Sequence, residues 1–109
     1  MMSFHPPTEE VLIMHAVIRS YSGSGASDLI DLIAGRKEDV ENILGSINGF
    51  VSWTMIKTED GGATVTVCED KAGTDESVRV AREWIQQNAP NLSVAPPAVS
   101  EGTVALHLG

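Results

Sequence analysis

The sequence predicts an α+β fold in which one four-stranded antiparallel sheet carries helices on a single face. Strand-like alternation of side chains and helix-like spacing follow one another in the order β-α-β-β-α-β, which is the ferredoxin-like or split βαβ plan. A hairpin signal between the second and third strands supports this order. The predicted elements, in chain order, are residues 11–19, 27–47, 50–58, 63–69, 74–88 and 103–108.

The first predicted strand, residues 11–19, follows a loose N-terminal leader, residues 1–9, in which paired prolines disfavour helix and sheet. Side chains point alternately to the two faces of a strand. The even-numbered face is apolar, so we expect it to lie under the helices, whereas the odd-numbered face carries His15 and Arg19. The members of the even-numbered face are Leu12, Met14, Ala16 and Ile18.

The segment 27–47 predicts helix because its apolar residues recur at helical spacing. A Gly/Ser-rich loop precedes it, and Ser27 is the predicted N-cap. Gly35 lies in the middle of the segment beside two basic residues, a combination typical of a helix end. One bent helix and two shorter helices therefore both remain open. The apolar stripe consists of Leu29, Ile33, Val40, Ile43, Leu44 and Ile47.

The second half of the chain predicts a hairpin, a helix and a closing strand. Asp60-Gly61 between two alternating segments favours a type I′ turn, since both residues tolerate positive φ. Thr74 is the candidate N-cap of the second helix, which ends at Asn88 and Pro90. Residues 92–100 are expected to cross irregularly to the last strand, residues 103–108.

Composition limits the kinds of protein this chain can be. Its 109 residues predict a single domain, residues 1–109, that is large enough to bury a core. A formal net charge of −8 disfavours nucleic acid and anionic membranes as partners. Cys68 is the single cysteine, which predicts no intrachain disulfide and a cytoplasmic location.

The predicted topology leaves one face of the sheet without helices. Right-handed crossovers place the strands in the order four, one, three, two, with both helices on the same side. The other face mixes apolar and small polar residues. A monomer rarely exposes an apolar surface of this size, so we expect two copies to pair through their sheets as a homodimer.

Two short motifs add a family resemblance. Asn48-Gly49-Phe50 leads directly into a strand, and Cys68-Glu69-Asp70 ends the third strand just before the second helix. With the element order, these motifs resemble the dimeric α+β barrel superfamily, and within it the antibiotic biosynthesis monooxygenase-like domains. The resemblance implies a dimer formed through the sheets and a hydrophobic or aromatic ligand between sheet and helices. That branch includes cofactor-independent quinol-forming monooxygenases and haem-degrading enzymes.

The haem-degrading branch uses three residues that this chain lacks at the matching places. They are an Asn on the first strand, a Trp just ahead of the Glu that ends the third strand, and a His on the second helix. Here residues 11–19 contain no Asn, Cys68 precedes Glu69, and residues 74–88 contain no His. No cofactor is therefore expected. Two functions stay open: a cofactor-free oxygenase of a small aromatic or quinol-like substrate, and a non-catalytic dimeric small-molecule-binding or stress-related protein.

The candidate site residues follow from the topology. The first and last strands are neighbours, so His15 and His107 are the candidate catalytic pair, and ordinary hydrogen-bonding histidines are the alternative. No third ligand at metal-binding spacing accompanies them, so no metal site is predicted. The candidate ligand-binding residues, for which packing in the core or sheet is the alternative, are Trp53, Thr66, Cys68 and Trp84.

Overall fold

A computed structural model describes residues 14–109 and contains one antiparallel sheet and three helices. The sheet order β2-β3-β1-β4 confirms the predicted fold class and strand order. The predicted leader, residues 1–9, and the start of the first predicted strand, residues 11–13, lie outside the described residues. The elements are β1 (His15–Ser22), α1 (Ala26–Ala34), α2 (Lys37–Gly45), β2 (Phe50–Thr58), β3 (Gly61–Cys68), α3 (Lys71–Asn88) and β4 (Ala98–Thr103).

The face of β1 that lies under the helices is the odd-numbered one, so the expected orientation was wrong. Burial alternates strictly along the strand, with the odd positions buried. Ile18, on the face expected to be covered, is 42% exposed. The predicted strand stopped at Arg19, whereas β1 continues to Ser22 and adds Tyr21 to the odd face. The buried members of that face are His15, Val17, Arg19 and Tyr21.

The long apolar segment forms two helices that separate at Gly35 and Arg36. Helix α1 begins at Ala26, one residue before the predicted cap, because Gly25 takes the N-cap position at φ 79°. A Cβ at Gly25 would lie 2.8 Å from the carbonyl oxygen of Ser93. Glycine is therefore required here both for the left-handed backbone and for the close approach of the segment that leads into β4.

Helix α3 begins at Lys71, three residues earlier than predicted. The side chain of Asp70, rather than that of Thr74, caps it by accepting a hydrogen bond of 3.0 Å from the backbone N–H of Gly73. Thr74 is buried inside the first turn. Its hydroxyl is thus available for contacts with the sheet.

The β2–β3 hairpin is confirmed, but its turn is not of type I′. Thr58 pairs with Gly61, which leaves Glu59 and Asp60 as the turn. Among residues 14–109, positive φ occurs only at four glycines outside this turn, whereas a type I′ turn needs positive φ at both central residues. Gly61 and Gly62 belong to β3 instead, where neighbouring backbone leaves no room for a Cβ.

The last strand is Ala98–Thr103, so the prediction of residues 103–108 was wrong. It begins directly after the Pro96-Pro97 pair and lies antiparallel to β1 at the edge of the sheet. The backbone N–H of Val104 donates a further hydrogen bond of 2.8 Å to the carbonyl of Met14. Leu106 and Leu108, which suggested a strand by their alternation, are 76% and 83% exposed.

Helices α1 and α3 cover the inner face of the sheet and form the core with it. Within the described residues, no helix combines the length and apolar character needed to cross a membrane. A second cluster beneath α2 contains Leu44, Ile47 and Cys68. The main cluster contains Tyr21, Ala26, Leu29, Ile30, Ile33, Trp84 and Ala89.

Candidate functional site

A cavity of about 380 Å³ lies between the inner face of β1, helix α3 and the segment that leads into β4. Its volume falls at the lower end of the range for small-molecule sites. A smaller cavity of about 50 Å³ shares the lining residues Arg19, Tyr21 and Ile85 with the first. The apolar lining of the larger cavity consists of Leu29, Val78, Ile85, Val94, Ala95, Pro96, Pro97 and Val99.

Arg19 places a buried cation where the two cavities meet. Arg19 is only 8% exposed, because it lies on the inner face of β1 opposite Thr64 of β3. One terminal N–H donates to the hydroxyl of Tyr21, whereas the Nε–H has no hydrogen-bond partner among residues 14–109. The hydroxyl of Thr64 likewise lacks a partner there. Unpaired buried polar groups cost free energy, so they mark this point of the core as a candidate site.

The charge of Arg19 is not balanced by an acid in the described part of the chain. No carboxylate of residues 14–109 lies within 4.0 Å of its nitrogens. Burial lowers the pKa of the guanidinium; Tyr21 opposes that fall, and the nearby charge of Arg82 adds a smaller lowering effect. Any anion that enters the cavity therefore stabilises the charged form of this buried arginine, which has no carboxylate partner among residues 14–109.

Tyr21 supplies a neutral hydroxyl next to this cation. Burial raises the pKa of its phenol, and the positive charges of Arg19 and Arg82 oppose that rise. The guanidinium of Arg19 also lies 5.4 Å from the centre of the Tyr21 ring. Since the hydroxyl accepts a hydrogen bond from Arg19 and keeps its own proton, that proton is free to be donated to a ligand oxygen.

We predict that Tyr21 ionises only above pH 10.0, its ordinary pKa. It is the single tyrosine of the chain, so a spectrophotometric titration of the phenolate band reports this residue alone. The unfolded chain ionises first as pH rises, so the free energy of unfolding should also fall above pH 10.0. A native midpoint at or below that pH would contradict the burial described here.

Sequence reasoning did not identify this cluster as a site. Arg19 was placed on the odd-numbered face, but that face was expected to point away from the helices. Tyr21 lay beyond the predicted strand, and Arg82 was one of several charged residues on a helix. The signal that was available is the i, i+2 spacing of Arg19 and Tyr21, since it places both side chains on one strand face.

His15 lies at the other end of β1 and lines neither of these two cavities nor two further ones in the described residues. The Thr74 hydroxyl donates to the Lys71 carbonyl and accepts from His15 Nδ1 at 2.7 Å. Nε2 lies 3.6 Å from a carboxylate oxygen of Glu101. These contacts attach α3 and β4 to β1, which is a structural role.

His107 does not stand next to His15 in the sheet. The residue opposite His15 on β4 is Thr103, and His107 follows four residues later with an exposed side chain. Successive residues of an extended chain advance by roughly 3.3 Å, so the register separates the two imidazoles by more than hydrogen-bond reach. The structure therefore does not bring the candidate catalytic pair together.

Of the four candidate ligand-binding residues, the structure places two at a cavity. Trp53 of β2 and Trp84 of α3 both line the smaller cavity. Thr66 is buried within the sheet and Cys68 is fully buried against the α2 cluster; neither lines any of the four cavities. Burial, together with the charge of Asp70, raises the pKa of the Cys68 thiol, which disfavours the reactive thiolate.

The cavity does not offer the donors that haem iron requires. No His, Cys or Met is among the described residues that line the two joined cavities. The raised pKa of Tyr21 keeps its oxygen protonated, and a phenolate is the form in which tyrosine binds haem iron. Across residues 14–109, no three His, Cys, Asp or Glu side chains are grouped to hold a metal ion.

Comparison with known proteins identifies relatives by structure only. No family model and no curated protein matches the sequence. A protein of unknown function from Nitrosomonas europaea matches with a TM-score of 0.65 and 15% identity over 91% of this chain and 95% of that one. The haem-degrading protein MhuD of Mycobacterium tuberculosis, solved with two haems in its active site, matches with a TM-score of 0.61 and 18% identity over 88% and 99%.

The monooxygenase from the gene ActVA-Orf6 of Streptomyces coelicolor, solved with nanaomycin D, matches with a TM-score of 0.54 and 21% identity over 95% and 97%. The chain therefore shares the ferredoxin-like fold of antibiotic biosynthesis monooxygenase-like proteins, as the sequence motifs predicted. At these identities the likeness establishes the fold.

Proposed function

We propose that this chain is an antibiotic biosynthesis monooxygenase-like protein that acts as a cofactor-free oxygenase on a small aromatic phenol or quinol. The substrate lies in the cavity between β1 and α3. The observation that supports this proposal is the buried guanidinium of Arg19, which faces an apolar cavity without a carboxylate partner among residues 14–109. A phenolate is the form of an aromatic ring that gives electrons to oxygen most readily, and a buried cation stabilises it.

The reaction of a phenol with a free para position balances with oxygen alone. One oxygen atom enters the para carbon as a quinone carbonyl. The other leaves as water, with the hydrogens of the original hydroxyl and C–H bond. In this proposal Arg19 stabilises the developing phenolate, the Tyr21 hydroxyl donates to the same oxygen, and the apolar walls exclude water. Trp53 and Trp84 contact the inner end of the ligand from the smaller cavity.

Oxygen uptake with α-naphthol and naphthohydroquinone tests the proposal. We expect oxygen uptake above the protein-free blank. With α-naphthol as substrate, one molecule of naphthoquinone should form for each O2 molecule consumed, and Arg19→Gln should lower the rate about a hundredfold. Arg79→Gln is the matched control, because it removes the same charge from an exposed position on α3. No uptake with either compound would overturn the oxygenase proposal and leave the non-catalytic binding protein.

The proposal includes a homodimer formed through the open sheet face. That face has no charged residue in any of the four described strands, and both Ile18 and Ile56 are about half exposed. An uncharged sheet surface of this size favours burial against a second copy. Its members are Ala16, Ile18 and Ser20 of β1; Ser52, Thr54 and Ile56 of β2; Ala63, Val65 and Val67 of β3; and Ala98, Ser100 and Gly102 of β4.

Ile18→Glu is predicted to convert the dimer to a monomer. Ile18 pairs with Val65 on one side and Ser100 on the other, near the middle of the open face, and a dimer would bury the new charge. Light scattering should give a twofold lower solution mass. Gln87→Glu adds the same charge on the exposed surface of α3 and should leave the mass unchanged. A wild-type mass of one subunit would contradict the proposed dimer.

We also propose that residues 1–109 form one domain. In this proposal the protein is cytoplasmic, because its single cysteine is a buried free thiol and forms no disulfide bridge.

A further inference from the structure

We infer that the ligand of this cavity carries a carboxylate as well as an aromatic ring, and that Arg82 and Gln86 bind the carboxylate at the cavity mouth. This inference deepens the proposed function and rests on it for the identity of the reacting group. It assigns different oxygens to the two arginines. Arg19 is buried and faces the phenol oxygen, whereas Arg82 is exposed at the rim.

One face of α3 supplies both the apolar and the polar contacts. Val78, Arg82, Ile85 and Gln86 all line the cavity; the last three follow Val78 by four, seven and eight residues, so all four project from the same side of the helix. Val78 and Ile85 are partly buried, whereas Arg82 and Gln86 are exposed. A guanidinium and a side-chain amide one turn apart offer several N–H donors to one carboxylate.

The ion pairs of the molecule support the assignment of Arg82. Arg79, one turn earlier on α3, lies 2.6 Å from Glu76 and 2.7 Å from Glu83, so these two acids of the same helix are already paired. Arg82 has no carboxylate within 4.0 Å among residues 14–109. The chain has fifteen acidic and seven basic residues, and this cation without such a partner at the cavity mouth is available to an anionic ligand.

The positive charges of Arg19 and Arg82 also repel each other. The charge of Arg82 contributes to the lowered pKa of Arg19, so the two like charges repel. No Asp or Glu is among the described residues that line the cavity. A dianionic ligand, with a phenolate at one end and a carboxylate at the other, would compensate both charges at once. A phenol without a carboxylate, bound as its phenolate, would compensate Arg19 alone.

Equilibrium binding of β-naphthoate and β-naphthamide tests this inference without any turnover. The two compounds have the same ring and differ in charge at one substituent. We expect wild-type protein to bind the naphthoate about tenfold more tightly, Arg82→Gln to lose that preference, and Arg79→Gln to keep it. Equal affinities, a preference that survives in Arg82→Gln, or no binding of either compound would each overturn the inference.

A kinetic comparison separates substrate positioning from a structural role of Arg82. With a hydroxynaphthoate as substrate, Arg82→Gln should raise KM about tenfold and change kcat little, whereas KM for α-naphthol should stay the same. Equal KM changes for both substrates would contradict the carboxylate contact. Preference for naphthoate without any oxygen uptake would retain the anion site and remove the oxygenase proposal.

Discussion

Arg19→Met is expected to abolish oxygen uptake while raising the free energy of unfolding by about 1 kcal/mol or more. Most large core substitutions destabilise a protein, so this sign is unusual. It follows from the environment of Arg19, whose Nε–H lacks a partner and whose charge faces no carboxylate among the described residues. Methionine fills a similar volume and removes the cost of burying the charge. A variant that is more stable but inactive would show that the cation serves function and not stability.

Chemical denaturation of wild type and variant, combined with the uptake assay, measures both effects. Arg36→Met is the matched control with the opposite expected sign. Its guanidinium bonds to Asp39 and Asn88 and stacks on the Trp84 ring at 5.6 Å, so we expect a loss of about 1 kcal/mol. If Arg19→Met destabilised the protein as much as Arg36→Met, Arg19 would be a structural residue.

Gly62→Ala is expected to destabilise the protein by about 2 to 3 kcal/mol, which corresponds to a fall in Tm of roughly 10 °C. Gly62 lies on the inner face of β3 between β1 and β2. A Cβ there would lie 2.5 Å from the carbonyl oxygen of Ile56 and 2.8 Å from the side chain of Ile30. Helix α1 and the hairpin would have to separate to admit one methyl group.

Thermal unfolding of Gly62→Ala and Gly45→Ala compares the same substitution in two environments. A Cβ at Gly45, in the last turn of α2, meets nothing within 4 Å. Alanine favours helix over glycine, so Gly45→Ala should leave Tm unchanged or raise it. Similar losses in both variants would show that close packing at Gly62 does not limit stability.

Local features of the sequence were enough to predict the element order and the sheet topology. Helical and strand periods depend on neighbouring residues, so the bounds 50–58 of β2 were correct, as was the start of this strand directly after Asn48-Gly49. The two-helix alternative could be stated because Gly35 is a local signal. The predicted start of a helix was wrong where its cap depends on residues that are distant in sequence. At Gly25, for example, the backbone of Ser93 lies where a side chain would project.

The pairing of the two candidate catalytic histidines depended on more than local sequence. His15 and His107 were paired from strand adjacency alone, yet the register of β4 against β1 places Thr103 opposite His15. The residues that do meet at a cavity, Arg19 and Arg82, are 63 positions apart and belong to a strand and a helix. No local pattern relates them.

The sequence by itself determined the order of strands and helices along the chain and the order of the strands in the sheet, because hydrophobic period and turn chemistry act over a few residues. Only the tertiary structure decided which face of β1 meets the helices. An alternating strand can bury either face, and the choice depends on the packing of α1 and α3 against β1 and β3. That choice buried Arg19 and Tyr21, exposed Ile18, and so created both the cavity and the open sheet face.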